Sequence, residues 1–153
     1  MRRDRLEAPG ERRGDDVIVP LSQFDCGEFS HLNCGTTVTG MCIAFETGGV
    51  RHPSGSDVRA QVRNDDGEPD TSGGTRPSQN VAAAKRGWGV TLDAREVSFE
   101  EAAKLWNRAD RALSLSMSYS VVAGTEFDAC PGFTGLHQIL VSDGKVYDPL
   151  ADG

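Results

Sequence analysis

The amino-acid sequence predicts an α+β fold, with helices first and an antiparallel sheet packed against them at the C-terminal end. Three observations predict it. The apolar residues Val38, Met41, Cys42 and Phe45 fall at i, i+3, i+4 and i+7, a buried stripe on the period of a helix. Ser98 stands three residues ahead of Glu101 at the start of "FEEAAKLWNRADRAL", a capping-box pattern. Further on, "LSLSMSYSVV" alternates strictly, and "LHQILVSDGKVYDPL" places two apolar runs around Asp143-Gly144, the dipeptide of tight β-hairpins.

The elements follow in order. Residues 1–16, "MRRDRLEAPGERRGDD", form a mixed-charge arm that lacks the apolar stretch of an export signal, so no signal peptide is expected. Residues 17–153 are expected to form one domain, because 153 residues are too few for two ordinary ones. "DVIVPLSQFD" is an extended run broken by Pro20, which suits an edge strand or a loop entering the core. The first helix starts at Cys34 and stops at Gly48-Gly49, a left-handed terminator. Thr36, Thr37, Thr39 and Gly40 are poor helix formers, so burial must hold this helix. A short second helix is expected in "SGSDVRAQVRND", with Ser56 as N-cap. "DDGEPDTSGGTRPSQ" is turn chemistry, after which a third helix starts with Pro77 near its first position and closes at Gly87. "VTLDARE" alternates as a strand does, and the helix beginning at Ser98 follows it.

Composition excludes some functions. A net charge of -7 with no basic stripe argues against a nucleic-acid binder. No apolar run is long enough to span a membrane. The four cysteines, Cys26, Cys34, Cys42 and Cys130, are read as free thiols in the absence of an export signal. Cys26, His31, Cys34 and Cys42 lie close in sequence but lack a Cys-x-x-Cys knuckle, so neither a metal nor another cofactor is expected.

A cysteine at a helix N-terminus sits where unpaired N–H groups and the positive end of the helix dipole stabilise an anion. Cys34 therefore has the setting of a thiolate nucleophile, and Gly35 beside it lets a substrate carbonyl approach. A thiolate nucleophile works with a histidine, and the chain has three: His31, His52 and His137. If Asp143-Gly144 is a two-residue turn, Ser142 pairs with Lys145 and Ile139 with Asp148, and His137 and Asp148 become diagonal neighbours on one face, roughly 7 Å apart. A three-residue turn would send Asp148 to the other face. On position alone, Cys34 also fits a small buried hydrophobe, His137 a core histidine and Asp148 a turn residue before Pro149.

"NCGTTVTGMCIAFETGG" followed by "GLHQILVSDGKVYDPL" resembles the papain-like cysteine peptidases, in particular the double-glycine-peptidase-like branch found in bacteria and in tailed phages of actinobacteria. The resemblance runs from about Gln23 to Leu150. It implies a papain-like fold, with Cys34 as nucleophile, His137 as general base and acid, Asp148 as the residue orienting the imidazole, and Gln23 as an oxyanion donor. Gln23 lies eleven residues before Cys34, so the intervening segment must loop out; Cys26 is closer to Gln23 but heads a poorer helix. The implied activity is hydrolysis of an amide in a peptide or a peptidoglycan cross-link. The alternative it implies is a virion structural protein of a phage tail or tail tip, with a peptidase fold and little or no activity. In that case the chain is made in the host cytoplasm and joins a phage virion, meeting other virion proteins through the arm 1–16 and an exposed sheet edge.

Overall fold

The computed structural model describes residues 18, 20–23, 32–70, 73–121, 123–126, 128, 131–132 and 135–150. The architecture is organised around helix α1, Cys34–Glu46, whose residues Gly35 to Phe45 are all buried. One side carries Val38, Met41, Cys42 and Phe45, packed with Ile18 and Leu140. Ile43 on the opposite side packs with Val58, Val62, Ala83 and Ala84 of the neighbouring helical layer. The helix is thus enclosed all round, where the sequence pattern suggested a single stripe.

Enclosure explains how such a sequence is helical at all. Thr36, Thr37, Thr39 and Gly40 together cost roughly 3 kcal/mol of helix propensity against alanine. Val38, Met41, Ile43 and Phe45 are each at most 2% exposed, and each such side chain contributes about 1.5–3 kcal/mol on burial. Burial wins. The Thr36 and Thr39 hydroxyls are satisfied within the helix, donating to the carbonyls of Asn33 at 3.2 Å and Gly35 at 2.7 Å. Beyond Glu46 the chain turns out through Gly48 and Gly49 at φ 61° and 81°, as the glycine pair predicts.

Helices α2, Gly55–Ala60, and α3, Pro77–Trp88, cover the far side of α1. The N-cap of α2 is Ser54, not the expected Ser56: its hydroxyl accepts from the Asp57 N–H at 3.1 Å while the Asp57 carboxylate accepts from the Ser54 N–H at 2.9 Å. A reciprocal pair needs the acid three residues on, and only Ser54 has it. Helix α3 starts at Pro77 as expected but runs through Gly87, ending where Gly89 adopts φ 69°. The stretch 90–98 forms no strand. Val90 and Leu92 tuck against the helical core, and with no neighbouring strand among the described residues to pair with, alternation alone makes no ladder.

Helix α4, Phe99–Trp106, begins with Ser98 accepting from the Glu101 N–H at 3.1 Å. It stops well short of Leu113, because the carbonyls of Trp106 and Arg108 accept the N–H groups of Gly144 and Asp143 at 3.0 and 3.2 Å. Tertiary bonds thus replace further helical ones.

Strands β1, Leu113–Ser118, β2, Leu136–Ser142, and β3, Lys145–Tyr147, form an antiparallel sheet in the order β1-β2-β3. Asp143 and Gly144 both have positive φ, 52° and 71°, and Ser142 pairs with Lys145, so the hairpin has the two-residue turn that the dipeptide predicts. Leu140 faces α1 and Gln138, two residues back, shares that face. His137, Ile139 and Val141 take the other face, opposite Met117, Leu115 and Leu113. The described residues therefore form an α+β fold, with four α-helices and a three-stranded antiparallel sheet. No helix among them is long and apolar enough to cross a membrane.

The arm 1–16, Cys26, His31 and Cys130 lie outside the described residues.

Gly40 packs α1 directly against the backbone of Pro53, and a Cβ there would overlap the Pro53 carbonyl oxygen. Helix propensity alone favours alanine by about 1 kcal/mol. Overpacking against backbone costs about 1–3 kcal/mol, so Gly40→Ala is expected to lower the midpoint of urea unfolding; a raised midpoint would mean the two segments separate freely.

Candidate active site

Cys34 is the first residue of α1 and is partly exposed. Asn33 occupies the N-cap without a side-chain bond to the helix, so no capping oxygen competes for the first-turn N–H groups, and no acidic residue lies in that turn. The sulfur instead receives the backbone N–H groups of Gly35 and Gln138 together with the His137 side chain. Burial by itself pushes the thiol up, but the bonds from His137, Gln138 and Gly35 and the charge of His137 outweigh it and hold Cys34 below its ordinary value. Cys42, two turns along the same helix, shows the contrast. Full burial, with Glu46 nearby, pushes its thiol up to about 12, so it stays protonated and inert.

His137 is 1% exposed and stands one residue inside β2. Its Nε2 lies 2.6 Å from the Asp148 carboxylate, which leaves Nδ1 for the sulfur. The β2–β3 ladder ends at Tyr147, and Asp148 follows it directly. The same carboxylate oxygen accepts the Leu150 N–H at 2.9 Å, and the Pro149 carbonyl accepts the Gln23 N–H at 2.8 Å. Asp148 is thus held by its own turn and by the incoming N-terminal segment. Burial lowers the imidazole's proton affinity, yet the bonds and charges of Asp148 and Cys34 overcome that and raise His137 from 6.5 to about 9. A lowered thiol facing a raised imidazole shifts their shared proton toward the ring, the direction of a thiolate–imidazolium pair.

The ring of Tyr119 meets that of His137 edge-on, with centroids 5.3 Å apart and planes at 82°. Tyr119 is completely buried, and its N–H donates to the Gly135 carbonyl at 2.9 Å just beyond β1. Gly35 is boxed in: a Cβ would lie 2.7 Å from Gln138 Oε1, 2.8 Å from Thr75 Oγ1 and 2.9 Å from Asn80 Nδ2. Glycine is needed here for the close approach of α1 to β2 and α3.

Three residues expected from the sequence, Cys34, His137 and Asp148, therefore meet in one line. Gln23 is buried and joined through its backbone to Pro149, beside the turn that carries Asp148. His52 is exposed and lies elsewhere, in a surface groove with Arg51, Asp57 and Trp88. Sequence reasoning missed Tyr119, the Gln138 N–H, and the Thr75 and Asn80 side chains around Gly35. Among the described residues, no cluster of three or more His, Cys, Asp or Glu is arranged to hold a metal ion. No protein-family model, curated protein or solved structure matches the chain.

Removing the carboxylate from behind the ring should release the imidazole. In Asp148→Asn, the His137 titration followed by NMR is expected to fall from about 9 toward 6.5. An unmoved midpoint would show that Asp148 does not control the ring. Because the folded value exceeds 6.5, the stability that this shift contributes is complete below that pH and is lost as pH rises through about 9.

Proposed function

We propose that the chain is a cysteine hydrolase of papain-like fold that cleaves an amide in a peptide or a peptidoglycan cross-link. The observation that carries this reading is the line from the Cys34 sulfur through the His137 ring to Asp148, with the thiol lowered and the imidazole raised.

The chemistry follows from the geometry. The Cys34 thiolate attacks the amide carbonyl carbon, and the carbonyl oxygen becomes an oxyanion. The Cys34 N–H, at the helix start, and the Gln23 side chain serve as its donors. His137, protonated in the resting pair, gives its proton to the departing amine, and the C–N bond breaks to leave a thioester. It then takes a proton from water, which attacks the thioester and regenerates the thiolate. Asp148 keeps the ring aimed at the sulfur and stabilises its charged form.

A second reading, a structural role in a phage tail with little or no turnover, draws support from the sheet. Among the described residues neither β1 nor β3 has an outer strand partner, and Val146 on β3 is 52% exposed. A neighbouring chain laid on that edge would cover it. Sedimentation separates the two: a monomer that turns over peptide amides fits the enzyme, and an inert assembly fits the structural role.

Cys34→Ala is expected to abolish both amide hydrolysis and covalent labelling by iodoacetamide near neutral pH. Labelling that persists undiminished would move the nucleophile to Cys26 or Cys130.

A further inference from the structure

Gln138 follows the candidate base directly in β2 and has no part in the acid–base chemistry described above. Its side chain nevertheless spans the junction of sheet and helix. Nε2 donates to the Ser116 hydroxyl on β1 at 3.1 Å, and Ser116 is also its partner in the β1–β2 register. Oε1 lies 2.7 Å from where a Gly35 Cβ would stand, in the collar completed by Thr75 and Asn80. The backbone N–H of the same residue donates to the Cys34 sulfur.

We propose that Gln138 is a positioning residue for the nucleophile: its side chain, clamped between Ser116 and Gly35, fixes the distance between β2 and the start of α1 and so holds its own N–H on the Cys34 sulfur. The geometry favours this over ordinary surface polarity for two reasons. The amide points along the α1-facing side of β2, the side on which Leu140 packs against Val38 and Met41. It also stands at the one place where α1 carries a glycine against the sheet, so the amide sets the approach that the missing Cβ permits. An N–H pointed at a sulfur stabilises thiolate over thiol and does so only at short range. Loosening the clamp should therefore raise the pH at which Cys34 ionises.

The titratable group facing the sulfur is His137, with Asp148 behind it. The first turn of α1 has no acidic residue, and the α3-side neighbours Thr75 and Asn80 are neutral. A change caused by Gln138 is therefore separable from the larger one expected on removing His137.

The test is the pH profile of Cys34 alkylation by iodoacetamide in the full chain, with mass spectrometry assigning the site. Gln138→Leu keeps the bulk and removes the amide, and its profile is expected to move upward. One unit corresponds to about a tenfold slower reaction in the neutral range. Ser116→Ala should move it in the same direction by less, and the double variant should move it no further than Gln138→Leu alone. Ser116 is exposed on β1, so this variant decides the matter if Gln138→Leu fails to fold. Unchanged profiles in folded variants would overturn the proposal, even if thermal stability fell. The inference rests on Cys34 being the nucleophile, but alkylation reads the sulfur without substrate. If the hydrolase reading failed, turnover would be absent while the profile shift persisted; if only this proposal failed, turnover would persist with the profile fixed.

Discussion

The structure depends on where the first turn of α1 ends up. A helix enclosed on every side is normally capped at its start by a polar side chain, and here the N-cap residue Asn33 leaves the first N–H groups alone. One of them, the Gly35 N–H, is turned instead toward a sulfur that burial would otherwise keep protonated. An ionised thiol in a half-buried place survives only if several weak stabilisers act together, and they come from two elements: Gly35 from the helix, and Gln138 and His137 from the sheet. Separating α1 from β2 would remove the stabilisers that come from the sheet and leave burial to raise the thiol, as it does at Cys42 on the same helix. The packing of Leu140 on Val38 and Met41 and the glycine at position 35 are the physical means that prevent it.

The same economy governs the other end of the line. A turn closed by Asp143 and Gly144 fixes the register of β3, and that register brings Asp148 onto the face of His137. Slippage by one residue would point the carboxylate the other way. The turn is in its own right anchored, because the Asp143 and Gly144 N–H groups donate to carbonyls at the end of α4, and Gln23 binds the carbonyl after Asp148. Elements remote in sequence thus converge on one imidazole, whose raised proton affinity records their combined field.

Much of this was legible in the sequence because local rules and tertiary packing agree there. The glycine stop after Glu46, the Ser98 cap and the Asp143-Gly144 turn each follow from backbone conformations that few residues tolerate. The pairing of His137 with Asp148 followed from counting along that turn, and Cys34 from its place at the start of a helix. What the sequence concealed depends on long-range partners. Residues 90–96 alternate yet have no strand beside them among the described residues, and the hairpin turn takes the carbonyls of Trp106, where α4 ends, and of Arg108 just past it. Tyr119 read as one more residue of an alternating strand, but β1 ends at Ser118 and Tyr119 opens a 3-10 turn, Tyr119–Val121, where its N–H bond to the Gly135 carbonyl holds it beside the ring of His137. Thr75 and Asn80 carry no signal at all; they matter because Gly35 has no side chain to keep them away.

On this reading the proton shared by Cys34 and His137 sits on the ring before any substrate arrives. Ultraviolet thiolate absorbance, recorded against pH as the difference between the native chain and Cys34→Ser, measures this directly. Thiolate is expected to appear at a pH below the ordinary thiol value of 9.0, and to retreat toward that value when His137 is replaced by alanine. A single thiol titration near 9.0 that is indifferent to His137 would contradict it.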